Sequence, residues 1–134
     1  MKTVFFHGIL AGVLAAIASV VYNNVYTAAL VVDFSKVASM GGIIGTSVFG
    51  CVLASLGYHF FCKMVKSNTD VWFNAVFLVL TYASCAGQFS ASLPTDIQSP
   101  ELFLGLTIPM HFFPIMFWLA VKPLFLNKTV LFER

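Results

Sequence analysis

Four long apolar runs, separated by three short polar connections, set the layout of this chain. The first starts near Val4, is apolar to Tyr22, and continues through Asn23 and Asn24 to about Val32. The connections are Asp33–Met40, Lys63–Asp70 and Ser92–Ser99. A bilayer core is crossed by ~20 apolar residues at 1.5 Å of helical rise each. The pattern therefore predicts membrane-spanning helices over about 4–32, 41–62, 71–91 and 101–122. Pro100 and Glu101 are expected in the first turn of the fourth, where proline fits and an acid meets the positive helix end.

Small residues mark the faces expected to pack. Gly8, Gly12 and Ala16 stand four apart, as do Ala11, Ala15 and Ser19. In the second helix Gly41 and Gly45 are followed by Thr46, Gly50 and Ala54, and Ser47, Cys51 and Ser55 form a second ladder. Such spacing lets helix backbones approach closely. Gly8, Gly12, Gly41, Gly45 and Gly50 are the expected packing glycines, with the first two helices as neighbours.

The fourth run, Pro100–Phe125, holds Pro109 and Pro114 on either side of His111. Pro109 cannot donate to the Gly105 carbonyl, nor Pro114 to that of Met110, so both need other partners. The stretch is expected to be the least regular helix, broken at the two prolines. Helical rise puts His111 level with Tyr82, Thr81, Cys51 and Cys85. Asn23, Asn24, Thr27, Thr46, Gln88 and Thr107 form a polar layer nearer one surface. His7, Tyr58, His59, Trp72, Asn74 and Trp118 lie toward the other, where tryptophan and tyrosine form interfacial belts. An ionisable residue within the membrane is a functional candidate. The candidate ligand site is thus His111 with Thr107, Tyr82, Gln88, Asn23 and Asn24. A bland alternative is a histidine bonded to its neighbours that locks the fourth helix.

Composition agrees with the pattern. Of 134 residues, 60% are hydrophobic and only 9% charged, against ~25% charged in soluble domains. The expected fold is an all-α, polytopic membrane protein, one domain over 1–134 built as a bundle of four transmembrane helices. Lys2, Lys63, Lys66, Lys122, Lys128 and Arg134 fall on one side and only Lys36 on the other. The positive-inside rule then puts both termini in the cytoplasm. Asp33, Asp96 and Glu101 face outward, and the sequon Asn127-Lys128-Thr129 falls on the side that is not glycosylated. Lys2, an apolar run and Ala16-Ile17-Ala18 imitate a cleavable leader, but the segment is expected to remain as the first helix.

Several functions lose support at this stage. A net charge of +2 without a basic run gives nucleic acid no footing. The expected partners are the lipid bilayer, further copies of the chain, or other membrane subunits. Cys51, Cys62 and Cys85 read as small core residues and not as a disulfide framework. All five acids lie in connections or termini, with no catalytic constellation, so no enzyme is expected. No cofactor is expected either, although Cys51–Cys85–His111, or His59 with Cys62 and His7, would be the places for a metal or haem.

One resemblance is carried by Asn23 late in the first helix, a small-residue second helix, a polar end to the third followed by a proline-containing loop, and Met110-His111. With these the chain resembles an uncharacterised family of small four-helix bacterial membrane proteins. It departs from that pattern at Pro109 and Pro114. The resemblance implies a bacterial inner membrane and no particular activity. The leading expectation is a small non-enzymatic membrane protein that self-associates or serves as an accessory subunit. The alternatives are a binding or transport module with an outward-facing polar cavity above His111, and a haem- or metal-binding protein.

Overall fold

The computed structural model describes residues 2–65, 67–90, 93–95, 97 and 99–126. The expectations placed on Lys66, Asp96, Lys128, Arg134 and the Asn127–Thr129 sequon lie outside the described residues. The protein is all-helical, with α1 Lys2–Leu30, α2 Met40–Met64, α3 Thr69–Phe89 and α4 Leu102–Leu126. All four are long and apolar enough to cross a membrane. Consecutive helices run antiparallel. We call proximal the end where α1 begins, α2 meets α3, and α4 finishes. The opposite end is distal.

The helix ends follow local chemistry. Val31 takes a positive φ of 54° at the end of α1. In the turn beyond it, the Ser35 amide donates to Asp33 Oδ1 over 2.8 Å, which holds that carboxyl below the usual range. Ser39 caps α2 by accepting the Gly42 amide at 3.2 Å. Pro100 and Glu101 were expected inside the first turn of α4. They instead precede it, in a turn closed by the Leu102 amide on Ser99 and the Phe103 amide on Pro100.

α1 is the central element. It packs against both α2 and α4 and does not meet α3. Its buried residues are His7, Gly8, Ala11, Gly12, Ala15, Ala16 and Ser19, nearly all small. A Cβ on Gly8 would overlap the Ser55 hydroxyl and come within 2.7 Å of the Cys51 carbonyl. One on Gly12 would stand 2.9 Å from Val48 Cα. These two glycines therefore set how near the α2 backbone can come.

The facing residues on α2 correct the expectation. They are Ser47, Cys51 and Ser55, all buried, while Gly41, Gly45 and Gly50 have nothing within 4 Å of an added Cβ. The two ladders lie on different faces because helix faces repeat every three to four residues. Only the Ser47–Cys51–Ser55 row is turned toward α1. Ser47 and Ser55 donate to carbonyls of their own helix, at 2.8 and 3.2 Å, so their hydroxyls are paired inside the contact.

The expectation of a broken fourth helix is also corrected. α4 is continuous from Leu102 to Leu126 through Pro109, Pro114 and Pro123. The Tyr22 hydroxyl donates to the Gly105 carbonyl at 2.8 Å, the one Pro109 leaves without its helical donor. One turn on, the Tyr26 hydroxyl donates to Leu102 at 2.8 Å, and its ring lies so close to Gly105 that a Cβ there would collide with it. Two tyrosines of α1 thus bind α4 to the bundle.

Packing at the proximal end is aromatic and leaves no tryptophan belt of the expected kind. Trp118 is wholly buried among Tyr58, Phe73 and Phe77, and His7 is fully buried against it with ring centroids 4.1 Å apart. His7 Nε2 pairs with the Trp118 carbonyl at 2.9 Å, which holds this histidine inside the bundle and away from the surface. Trp72 alone of this group stays broadly exposed.

Candidate functional site

α2 and α3 pack together near the proximal end. There Tyr58 and Phe61 of α2 pack on Phe73 of α3, with centroids 5.1 and 5.9 Å apart. Toward the distal end the two helices part. The space between them, backed by α4, is a cavity of about 610 Å³, within the range of ligand sites. Its wall runs from Gly57 to Gly42 on α2, from Phe73 to Gln88 on α3, and from Pro114 to Phe103 on α4. Gly50 leaves the wedge open, because an added Cβ there would touch nothing.

Proximal to the wedge, and not lining it, is a polar cluster that the sequence reading did not single out. Tyr58 donates to Asp70 Oδ1 at 2.5 Å, Lys122 Nζ lies 3.1 Å from the same oxygen, and Lys122 donates to Asn74 Oδ1 at 3.3 Å. The ammonium also sits 5.3 Å from the centre of the Tyr58 ring. One residue from α2, two from α3 and one from α4 are thereby tied together. In sequence, Asp70 closes the second connection and Lys122 ends the fourth span. Nothing in sequence distance joins them.

Three of the six expected ligand residues line the wedge: His111, Gln88 and Thr107. His111 Nδ1 stands 2.8 Å from the Thr107 carbonyl, so the ring is protonated there and donates. Its Nε2 then carries the lone pair, and the Gln88 amide donates to it from 3.4 Å. The Gln88 side-chain carbonyl makes no hydrogen bond among the described residues. Met110 also lines the wedge, and no described side chain donates to its carbonyl, which Pro114 deprives of a helical donor.

The other three are placed elsewhere, which corrects the expected site. Tyr82 is 60% exposed and turns its ring edge to Phe112 at 5.2 Å, away from the cavity. Asn23 and Asn24 lie on α1, whose distal turns face α4 through Tyr22 and Tyr26, and neither reaches the wedge. Depth was the expected link, with Tyr82 level with His111 and the two asparagines in the polar layer beyond it, and depth leaves the helical azimuth open.

Ser19 is the wall residue that depth alone did not pick out. It closes the back of the wedge from α1, is completely buried, and its hydroxyl has no hydrogen-bond partner among the described residues. His7 Nδ1 and Trp118 Nε1 are likewise buried without a partner, in the proximal core. A second cavity of about 400 Å³ adjoins the distal mouth, shares Gln88 and Phe103 with the first, and is bordered by Glu101.

Neither of the suggested metal constellations is assembled. Among the described residues no three His, Cys, Asp or Glu side chains gather closely enough to hold an ion. Cys51 is buried and directs its sulfur to the Pro114 carbonyl at 3.8 Å. No family model, curated protein or solved structure matches this chain.

Proposed function

We propose that this protein is a membrane-embedded binding module that takes a small, mainly apolar molecule into the wedge between α2, α3 and α4. The observation that carries the reading is the Gln88–His111 pair set in the wall of a sizeable, otherwise largely apolar cavity. A few polar groups in an apolar cavity are what orient a ligand. His111 is the one titratable side chain in that wall among the described residues, and the reading assigns it to binding. Lys2, Lys63 and Lys122 are proximal and Lys36 distal, which supports a cytoplasmic proximal end. A bacterial inner membrane rests on the resemblance given above.

The test is ligand-dependent thermal stabilisation of purified protein across a panel of uncharged apolar and amphiphilic molecules. At least one is expected to raise the melting temperature. His111→Ala and Gln88→Ala should abolish the shift, while Asn23→Ala should leave it intact. A panel without any shift, or a shift indifferent to both cavity variants, removes the reading.

Self-association is the second reading, favoured by Gly41 and Gly45, where an added Cβ would meet nothing among the described residues. Crosslinking in mild detergent should then trap dimers that Gly45→Leu disperses. A strict monomer at every concentration sinks it.

A further inference from the structure

We infer that the occupant of the wedge is a single-chain amphiphile with an uncharged, hydroxyl-bearing head, bound with its tail toward the proximal floor. This rests on the binding reading above and specifies its ligand.

The first ground is shape. The wall covers fifteen residues of rise on α2, Gly42 to Gly57, and fifteen on α3, Phe73 to Gln88. At ~1.5 Å per residue that is roughly 22 Å. A volume of about 610 Å³ drawn out over this length is elongated along the helices and suits an extended hydrocarbon chain.

The second ground is polarity, which is graded along the wedge. The proximal wall is Leu53, Ala54, Gly57, Phe73, Val76 and Phe77, without a polar side chain. The polar wall residues stand in the distal half, and no charged side chain lines the wedge among the described residues. A charged head would therefore go uncompensated in a low-dielectric site.

The third ground is hydrogen bonding. The Thr46, Ser47, Thr81, Ser84 and Thr107 hydroxyls already donate to carbonyls of their own helices. They can offer a ligand only lone pairs. Ser19 differs: its hydroxyl is wholly buried, faces the wedge and is unpartnered. It sits on α1 between the levels set by the Tyr22–Gly105 and His7–Trp118 bonds, and lines the same cavity as Thr107 and His111. With the Gln88 carbonyl it offers one donor and one acceptor. A hydroxyl head answers both.

Such a ligand comes from hydrocarbon, so apolar walls alone give it little transfer advantage over the bilayer. Selection must come from the polar level. The gap between α2 and α3 gives it sideways access from lipid.

The test is photolabelling of the full chain in phosphatidylcholine nanodiscs with two dodecanol probes, one carrying a diazirine at the terminal carbon and one beside the hydroxyl. Excess unlabelled dodecanol should reduce labelling at least tenfold. The terminal probe should mark the Leu53 and Phe73–Phe77 region, and the head probe the Gln88 and Met110–His111 region. Dodecyltrimethylammonium should compete at least tenfold less well. Ser19→Ala should weaken competition by the alcohol several-fold without changing that by dodecane. Saturable wedge labelling with the two patterns reversed or identical, or equal competition by the cation, overturns this inference and leaves the binding reading standing. Labelling that is not saturable, or is confined to lipid-facing residues such as Phe60 and Val79, overturns both.

Discussion

The Tyr22 hydroxyl of α1 and the Gly105 carbonyl of α4 are 2.8 Å apart, and that carbonyl is the one Pro109 leaves without a donor. The bond explains how a helix with three internal prolines stays continuous. Tyr22→Phe should cost about 1 kcal/mol of stability. Pro109→Ala returns the helical donor, so in that background the same change should cost less than half as much. A double-mutant cycle by denaturant unfolding in detergent measures the coupling. Additive effects would show that the hydroxyl does not serve this carbonyl.

Two glycine-to-alanine changes should act in opposite directions. Gly8→Ala drives a methyl into Ser55 and the Cys51 carbonyl and should destabilise by about 1–3 kcal/mol. Gly45→Ala meets nothing and should stabilise by up to about 1 kcal/mol through helix propensity. Thermal unfolding of both variants beside the parent decides this.

The Asp70–Lys122 pair should contribute little energy and mainly fix geometry. The Asp70 side chain is 57% exposed and that of Lys122 only 12%. Solvent at the carboxylate should limit the coupling to about 0.5 kcal/mol, and added salt should reduce it. A cycle through Asp70→Asn and Lys122→Met, read at low and high salt, checks both statements.

His111 should carry a proton at Nδ1 and a lone pair at Nε2, because the first nitrogen faces a carbonyl and the second an amide donor. Nitrogen-15 NMR of the imidazole should show this tautomer. Gln88→Leu should perturb the Nε2 signal and leave Nδ1 nearly unmoved. A ring protonated at Nε2 would contradict the arrangement.

Asp33 should titrate below a free aspartate, chiefly because the Ser35 amide donates to its carboxylate. A folded pKa lowered below the unfolded one stabilises the fold above the unfolded value. That contribution fades as pH falls through the lowered pKa. A carboxyl-carbon NMR titration should show the depressed midpoint, and Asp33→Asn should remove this part of the acid dependence.

Four apolar runs of bilayer length determined the helix count, the all-α class and the order of elements, because an isolated helix must satisfy its own backbone in lipid. Small residues on α1 were also legible, since four-residue spacing places them on one face whatever that face meets. Which face of α2 answered them was not, as two small-residue rows shared the helix and only packing chose between them. The same held for the site. Rise along a helix gave His111, Gln88 and Thr107 their common region, but it grouped Tyr82, Asn23 and Asn24 with them although they point elsewhere. Ser19 in the wedge wall, Tyr22 on the Gly105 carbonyl and Lys122 beside Asp70 were decided by tertiary structure alone. Rotation about each helix axis and the splay of α3 from α2 are set by contacts between distant residues, and spacing along the chain carries neither.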